Sequence, residues 1–103
     1  AKLYRGSIAV AAPETPQDRV IVAQAADELL NISGVEASIV VCPTEDGGVI
    51  ISARSIGDIN VQVLLEKLGG GGNRSAAGAQ LKDISLRDAV NQLFAAIDSY
   101  LDE

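Results

Sequence analysis

Two β-rich segments joined by a short connection constrain the fold of this chain more than any other feature. Residues 35–42 and 49–54 consist mainly of Val, Ile, Ala and Ser, and residues 43–48 join them. The dipeptide Asp46-Gly47 in this connection supplies the positive φ angle that a tight turn between antiparallel strands requires. The segments therefore predict an antiparallel β-hairpin near the middle of the chain.

The flanking segments predict two further strands and three helices. Residues 3–12 mix apolar and small side chains and end at Pro13, which is typical of a strand, and residues 79–81 predict a second, shorter strand. The predicted N-caps of the three helices are, in chain order, Thr15, Asp58 and Ser85. The first helix is expected to reach about Asn31 and to expose only a narrow polar stripe. The second is expected to end at Gly69 in a left-handed C-cap.

This order of elements indicates the α/β class, with a small mixed β-sheet that contains an antiparallel hairpin and is covered by about three helices. A split β-α-β arrangement of the ferredoxin type fits the same order, and the sequence leaves the order of the strands open. The chain has 103 residues, 48% of them hydrophobic, which is enough for one small core. We therefore expect residues 1–103 to form a single domain.

The composition excludes several classes of function. The chain has no His, so it contains neither a Ser-His-Asp triad nor a His-ligated zinc site. A net charge of −6 and an aromatic content of 3% argue against generic binding to nucleic acid. The lone Cys42 lies in an apolar run and is expected to be a buried, unreactive thiol. No metal site or catalytic residue is predicted, because the acidic residues of the helices are expected to be solvated surface: Asp27, Glu28, Asp98, Asp102 and Glu103.

Four consecutive glycines, residues 69–72, are the most unusual feature of the sequence. A glycine backbone lets N–H groups converge on an anion and lets a ligand approach closely, which makes Gly70, Gly71 and Gly72 candidate binding residues. The segment is not a Walker loop, because no Gly-Lys-Ser/Thr follows it. The alternative is a helix C-cap that continues into a flexible connection.

Arg54 and Ser55, at the end of the second hairpin segment, are the other candidates for ligand binding. The planar guanidinium of Arg54 suits phosphate oxygens, and the Ser55 hydroxyl can add a hydrogen bond. An arginine that simply reaches water at a strand end is the alternative. The intervening helix, residues 58–68, rises about 16 Å. The glycine run therefore meets Arg54 only if this helix crosses the sheet obliquely or the loop folds back.

Three segments resemble the DHH-associated C-terminal domain of the DHH phosphoesterase superfamily. They are Ile51-Ser52-Ala53-Arg54-Ser55, then Ile59-Asn60-Val61, and then residues 68–78, which read Leu-Gly-Gly-Gly-Gly-Asn-Arg-Ser-Ala-Ala-Gly. Residues 51–81 are most similar to the membrane-anchored cyclic-di-AMP phosphodiesterases of the GdpP type.

The resemblance implies the substrate-binding half of an enzyme that hydrolyses small phosphodiesters in a cleft between two domains. It places manganese ions on a catalytic domain named for its Asp-His-His motif, and no cofactor on this chain. It also assigns substrate binding to an Arg-Ser pair, here Arg54 and Ser55, and to a Gly-Gly-Gly-His loop, here residues 70–73. The His of that loop is Asn73 in this sequence. The isolated chain is therefore expected to bind a small di-nucleotide without hydrolysing it.

The location of the chain is predicted partly from residues and partly from the resemblance. No apolar run approaches the ~18 residues that span a bilayer. We therefore expect a soluble domain and, because the sequence starts with Ala1 rather than Met, a piece excised from a longer protein. The resemblance adds a cytoplasmic-facing position in a parent protein anchored in the bacterial cell membrane.

Two other classes of function stay open. Related domains occur in RecJ exonucleases and at the C-termini of alanyl-tRNA synthetases, which would make the chain a nucleic-acid-binding module. A ferredoxin-like regulatory domain that forms a homodimer through a strand edge is the second alternative, and it predicts a solvent-exposed, mobile glycine run.

Overall fold

A mixed β-sheet organises the chain, and three helices pack against it. The computed structural model describes residues 2–103, and in this range the sheet has six strands in the order β1-β2-β3-β4-β6-β5. The strands are Lys2–Tyr4 (β1), Ile8–Ala11 (β2), Ala37–Pro43 (β3), Val49–Ser55 (β4), Gly71–Gly72 (β5) and Ala76–Leu81 (β6). The helices are Arg19–Leu29 (α1), Val61–Glu66 (α2) and Leu86–Leu101 (α3). The predicted α/β class is confirmed.

The predicted hairpin is formed by β3 and β4, which pair antiparallel from Ala37 opposite Ser55 to Pro43 opposite Val49. Gly47 has a φ of 93° in the connecting turn, as the Asp-Gly dipeptide predicts. Of the neighbouring strand pairs, β2 with β3 is parallel and the rest are antiparallel. The parallel pair is joined through α1, which serves as the crossover helix.

The two faces of the sheet are covered unequally. Side chains of β3 and β4 alternate between a larger core, shared with α2 and α3, and a smaller core, shared with α1. We call the second side the α1 face. Helix α1 packs on β3 and β4, whereas α2 packs on β5 and β6 from the other side. On the α1 face, the β6–β5 edge of the sheet therefore has no helix packed over it.

The first helix differs from its prediction in where it starts and in what it exposes. Its N-cap is Asp18 rather than Thr15, and the Asp18 carboxylate accepts a hydrogen bond from the Ile21 N–H at 3.0 Å. The expected narrow polar stripe is also wrong, since Val20 is 64% exposed and Ile21 45% exposed. A helix that covers its sheet face alone buries only one line of side chains, so these two apolar residues face solvent.

The second helix begins two residues later than predicted. Its N-cap is Asn60, whose side-chain oxygen accepts hydrogen bonds from the N–H groups of Gln62 and Val63. The predicted cap Asp58 is exposed and lies outside the helix. The physical reason is the intervening Ile59, which is buried in the main core and fixes the entry of the chain. The third helix has the predicted N-cap, Ser85, which accepts a hydrogen bond from the Asp88 N–H.

The predicted first strand is wrong as a single element, because residues 2–11 form two strands. Arg5 and Gly6 both have positive φ angles, 55° and 87°, and these reverse the chain between β1 and β2. Strand β1 is then tied to α3 through polar contacts. The Tyr4 hydroxyl donates to the Asp98 carboxylate at 2.8 Å, and the Arg5 guanidinium donates to Asp102 at 2.8 Å.

Asp98 and Asp102 are therefore not simply solvated surface, in contrast to their prediction. They anchor the edge strand β1, and the hydrogen bond from Arg5 lowers the pKa of Asp102 below its ordinary value of 3.8. Glu103 likewise accepts a hydrogen bond from Lys67 at 3.1 Å. Sequence position near a helix end does not reveal these partners, because they lie far away along the chain.

Cys42 is buried and carries a free thiol, as predicted. Its side chain lies on the α1 face, in the smaller core. Within the described part of the chain, residues 2–103, no helix combines the length and the apolar character needed to cross a bilayer.

Candidate functional site

Arg54 is held by neighbours at the end of β4, on the α1 face of the sheet. Its Nε donates to the Asp27 carboxylate at 2.9 Å, and its Nη1 donates to the Ser52 hydroxyl at 3.2 Å and to the Ala53 carbonyl at 2.9 Å. Its side chain is only 20% exposed. These bonds fix the plane of the guanidinium and leave the two N–H donors of Nη2 without a hydrogen-bond partner among residues 2–103. Arg54 is thus held in one orientation and still has donors for a ligand.

Asp27 is the ion-pair partner of Arg54, which corrects its assignment to plain solvated surface. The two residues lie on different elements, α1 and β4, and their side chains are 62% and 20% exposed. An exposed ion pair of this kind contributes about 0.2–1 kcal/mol to stability. Its larger effect is to orient the guanidinium of Arg54.

The strand register brings the glycine run to the face that carries Arg54. Arg54 pairs with Ala76 across β4 and β6, and the Asn73 N–H donates to the Ala76 carbonyl at 2.8 Å. Two residues before Arg54 on β4, Ser52 pairs with Gly78 of β6, and Gly78 pairs with Gly71 of β5. Two strand spacings amount to about 10 Å. Chain reversal after α2 therefore brings the loop back beside Arg54, which answers the geometric question that the sequence left open.

The first glycine of the run ends α2. Gly69 has a φ of 82°, and its N–H donates to the Glu66 carbonyl while the Gly70 N–H donates to the Leu65 carbonyl. This pair of bonds is the Schellman motif, so the predicted left-handed C-cap is confirmed. One glycine is enough to end the helix, so the cap does not explain why the next three residues are also glycines.

Gly71 and Gly72 form the edge strand β5 rather than a flexible connection, and Gly70 leads from the helix cap into it. A Cβ on Gly70 would lie 2.1 Å from the Gly78 carbonyl oxygen, and a Cβ on Gly72 would lie 2.4 Å from the Ala76 carbonyl oxygen. Both residues must therefore lack a side chain if β5 is to approach β6. Gly71 is different, because a Cβ there would meet no atom within 4 Å.

Asn73 closes the turn between β5 and β6. Its side-chain oxygen accepts hydrogen bonds from the N–H and hydroxyl of Ser75, at 3.0 and 3.1 Å, and from the Ala76 N–H at 2.9 Å. These bonds occupy the amide oxygen and leave the Asn73 NH₂ group as an exposed donor. Because hydrogen-bonded pairs alternate along an antiparallel ladder, the bond at Asn73 leaves the preceding Gly72 N–H at the outer edge of the sheet.

Ser55 is not brought together with Arg54. Successive residues of a strand point to opposite faces, and Ser55 belongs to the side covered by α2 and α3. Its side chain is 6% exposed, and its hydroxyl accepts a hydrogen bond from the Gly57 N–H at 3.3 Å. In this geometry the hydroxyl shapes the loop that follows β4.

A cavity of about 420 Å³ opens on the α1 face over β4, β6 and β5. Small residues of β4, β5 and β6 line it together with the apolar Val22, Ile50 and Ile51, and Arg19 and Gln80 lie at one end. The lining includes Arg19, Ser52, Gly70, Gly71, Gly78 and Gln80. Arg54 lies beside it and reaches it through its hydrogen bond to Ser52. The volume is in the range of small-ligand sites.

The charged side chain in the lining of the cavity is basic although the chain is acidic. Arg19 is the one charged residue in its lining, which contains no carboxylate. Local charge outweighs net charge in a cleft, so the net charge of −6 does not by itself exclude an anionic ligand here. The arrangement can therefore bind a small molecule that presents phosphate groups to donors from Arg54 and from the loop.

Comparison with known families decides the relationship of this chain. The profile of the DHHA1 domain matches residues 6–103. The chain belongs to the DHHA1 family. The resemblance noted in the sequence is thereby confirmed.

Three characterised relatives of this DHHA1 domain are similar over most of its length. Cyclic-di-AMP phosphodiesterase PdeA of Listeria monocytogenes is 48% identical over 101 residues, which cover 96% of this chain and 15% of the relative. Cyclic-di-AMP phosphodiesterase GdpP of Geobacillus thermodenitrificans is 53% identical over 85 residues (82% and 13%), and GdpP of Bacillus subtilis is 46% identical over 104 residues (97% and 16%). The chain thus spans 13–16% of the length of these relatives.

Solved structures share the fold. An exopolyphosphatase-related protein from Bacteroides fragilis aligns with a TM-score of 0.66 and 25% identity, covering 73% of this chain and 22% of that one. The pGpG-specific phosphodiesterase PggH from Vibrio cholerae aligns with a TM-score of 0.60 and 18% identity, covering 95% and 35%.

The residues of this DHHA1 domain do not fit manganese. Among residues 2–103 no three side chains of Cys, Asp or Glu, with His absent from the sequence, lie close enough together to hold a metal ion. Six acidic side chains instead form a helix cap, a turn or ion pairs: Asp18, Asp27, Asp46, Asp98, Asp102 and Glu103. No step of chemistry in this domain is therefore assigned to a metal.

Among the residues that line the site, sequence reasoning did not select the polar or small residues Arg19, Ser52, Gly78 and Gln80. Ser52 and Gly78 were inside the segments that carry the resemblance, and their alternation with buried neighbours indicates that they share a face with Arg54. Arg19 and Gln80 gave no local signal. They meet only because the fold brings the first residue of α1 beside the end of β6.

Proposed function

We propose that this DHHA1 domain binds the substrate, a small cyclic di-nucleotide such as cyclic di-AMP, for a phosphodiesterase whose catalytic domain is elsewhere in a longer chain. The observation that carries the proposal is the strand register. It sets the glycine run and Arg54 two strands apart on one sheet face, beside a cavity whose lining contains no carboxylate. The names of the three relatives supply the class of substrate.

In this proposal the ligand spans the sheet from Arg54 on β4, which binds a phosphate, to the turn after β5, which binds another polar group of the ligand. The free Nη2 donors of Arg54 supply a charge-assisted contact, and the outward N–H of Gly72 and the NH₂ group of Asn73 supply neutral ones. The bare backbone of Gly71 and Gly78 lets a sugar or base lie flat on the sheet. Arg54 is held in place by Asp27 and Ser52, so little side-chain entropy is lost on binding.

Hydrolysis is assigned to the catalytic domain of the longer protein, where manganese is expected. Two-metal hydrolysis needs ligands that hold two ions about 3.5–4 Å apart. The 103-residue chain offers no cluster of that kind in the range 2–103. The purified chain should therefore not hydrolyse cyclic di-AMP, with or without added manganese, and turnover that scales with protein concentration would contradict this.

The test is an NMR titration of the ¹⁵N-labelled chain with cyclic di-AMP. Half of a cleft leaves much of the ligand hydrated, so we expect a Kd of about 1 mM, or roughly −4 kcal/mol. Shifts should concentrate on the N–H groups of residues 71–73 and 78 and on the Arg54 Nε. Arg54→Gln should weaken binding roughly 10-fold or more, since a charge-assisted contact contributes about 1.5–3 kcal/mol.

Arg87→Gln is the matched control, because Arg87 is an exposed residue of α3 and its loss changes the net charge equally. It should leave binding unchanged. Shifts that map to another surface, or equal losses in the two variants, would contradict the proposal. A titration with oligoadenylate tests the alternative of a nucleic-acid-binding module, which predicts tighter binding to the longer strand and a steep dependence on salt.

A further inference from the structure

Arg19 and Gln80 form a polar pair at the end of the cavity away from Arg54. The Arg19 Nη2 donates to the Gln80 side-chain oxygen at 2.9 Å, although the residues are 61 positions apart in the chain. Both residues line the cavity. Gln80 pairs with Ile50 in the register of β4 and β6, four residues before Arg54 on β4. The Cα atoms of Ile50 and Arg54 are therefore separated by about 13 Å.

Arg19 forms no ion pair with a carboxylate of residues 2–103. Arg5, Arg54 and Lys67 each have a carboxylate within 4.0 Å, and within residues 2–103 Arg19 has none. Its partner Gln80 is neutral and accepts only one of its five N–H donors. A Gln at this position orients the guanidinium and preserves its charge, whereas a Glu would cancel it. The side-chain NH₂ group of Gln80 adds two more donors.

Arg19 thus lies at one end of the cavity, Arg54 lies beside the other end, and the residues that line the space between them are neutral and either small or apolar. A ligand with one phosphate can satisfy one end. A ligand with two phosphates can place an anionic group toward each end and gain both contacts. No carboxylate lines the cavity, and Asp27, which accepts from the Arg54 Nε, leaves the Nη2 donors of Arg54 for a ligand.

We propose that Arg19 and Gln80 form a second phosphate-binding point, which makes the domain select ligands with two phosphate groups over ligands with one. This inference rests on the proposed function, because it uses the same cavity and takes Arg54 as the first binding point. It adds a selectivity that the glycine run and Arg54 do not provide by themselves.

The experiment compares cyclic di-AMP with AMP in NMR titrations of the wild-type chain, Arg19→Gln and Gln80→Glu, with Arg87→Gln as the control of equal charge change. Arg19→Gln should raise the apparent Kd for cyclic di-AMP about 10-fold and leave that for AMP within about 2-fold. Gln80→Glu should act in the same direction, because the new carboxylate neutralises Arg19. Arg87→Gln should change neither.

The outcomes separate the two proposals. If neither nucleotide shifts any resonance of the wild-type chain, the proposed function fails and this inference fails with it. If cyclic di-AMP binds at residues 71–73 but Arg19→Gln binds it as tightly as wild type, only the second phosphate-binding point is overturned. An equal loss for AMP and cyclic di-AMP also overturns it, since Arg19 would then contact a group that both ligands share.

Discussion

Replacing single glycines of the run separates the residues that β5 needs for folding from the one that faces the ligand. Gly70 and Gly71 are adjacent, yet the folded chain treats them differently. A Cβ on Gly70 would lie 2.1 Å from the Gly78 carbonyl oxygen and 2.6 Å from the Ala79 Cβ. A Cβ on Gly71 would meet nothing within 4 Å. Gly70→Ala and Gly71→Ala should therefore change stability in opposite directions.

The magnitudes follow from these distances. Gly71→Ala adds no clash and restricts the unfolded chain, which stabilises a protein by about 0.4–1 kcal/mol. For a domain of this size 1 kcal/mol corresponds to about 4–8 °C, so Tm should rise by roughly 2–8 °C. Gly70→Ala overpacks the β5–β6 contact at a cost of about 1–3 kcal/mol, so Tm should fall by about 4 °C or more. Thermal melts of the 103-residue chain, followed by circular dichroism, measure both changes.

Gly71→Ala, the substitution that should stabilise the fold, should nevertheless weaken ligand binding. Gly71 lies opposite Gly78 and lines the cavity, so the new methyl group of Gly71→Ala projects into the space proposed for the ligand. Overpacking there should weaken cyclic di-AMP binding by about 1–3 kcal/mol, or roughly 5- to 150-fold, in a better-folded protein. The reasoning is refuted if Gly71→Ala lowers Tm as much as Gly70→Ala does. It is also refuted if Gly71→Ala is stabilised and binds the ligand normally.

Three further changes test other parts of the molecule. Arg54→Lys should recover only part of the affinity lost in Arg54→Gln, because an ammonium lacks the planar fork of donors, and full recovery in the NMR titration would leave only charge as the requirement. Asn73→His should make cyclic di-AMP affinity depend on pH between about pH 5 and 8, tighter on the acidic side, whereas superimposable curves would place residue 73 outside the site. Arg5→Gln should lower Tm relative to wild type, and this Tm difference should be largest near pH 6 and shrink as the pH falls below 3.8. The reason is that a carboxyl whose folded pKa is lowered, here that of Asp102, loses its stabilising effect when it is protonated. A Tm difference that does not depend on pH would show that the Arg5–Asp102 pair does not cause it.

Much of the fold was predictable because its signals are local. The Asp-Gly turn, the β-branched segments beside it and the Ser85 cap each require only a few consecutive residues, and each prediction is confirmed. Strand β5 was missed because two glycines carry no side-chain pattern. Only the close approach of their backbone to β6, which the sequence does not display, makes them a strand.

The candidate site divides in the same way. Arg54 and the glycine run were found from their chemistry, since a guanidinium and bare backbone amides suit phosphate wherever they lie. Their convergence depends on strand order, which tertiary packing decides. Asp27 and Gln80 were missed because their partners, Arg54 and Arg19, lie 27 and 61 positions away in the sequence.

The unequal covering of the sheet explains why an acidic domain can present a cationic cavity. Helices α2 and α3 enclose the main core on one face, and that face supplies most of the buried apolar surface that stabilises the fold. The other face needs only α1, so the sheet beyond β4 stays open on that side without loss of the core. This open stretch of sheet tolerates small residues at Ser52, Gly71 and Gly78, because no helix packs over it and no large side chains are needed to fill a core there. Because this side of the sheet is open, Arg19 is exposed, and a guanidinium without an ion-pair partner costs little desolvation energy there. A ligand that covers Arg19 has to supply an anionic group to offset the desolvation of the guanidinium.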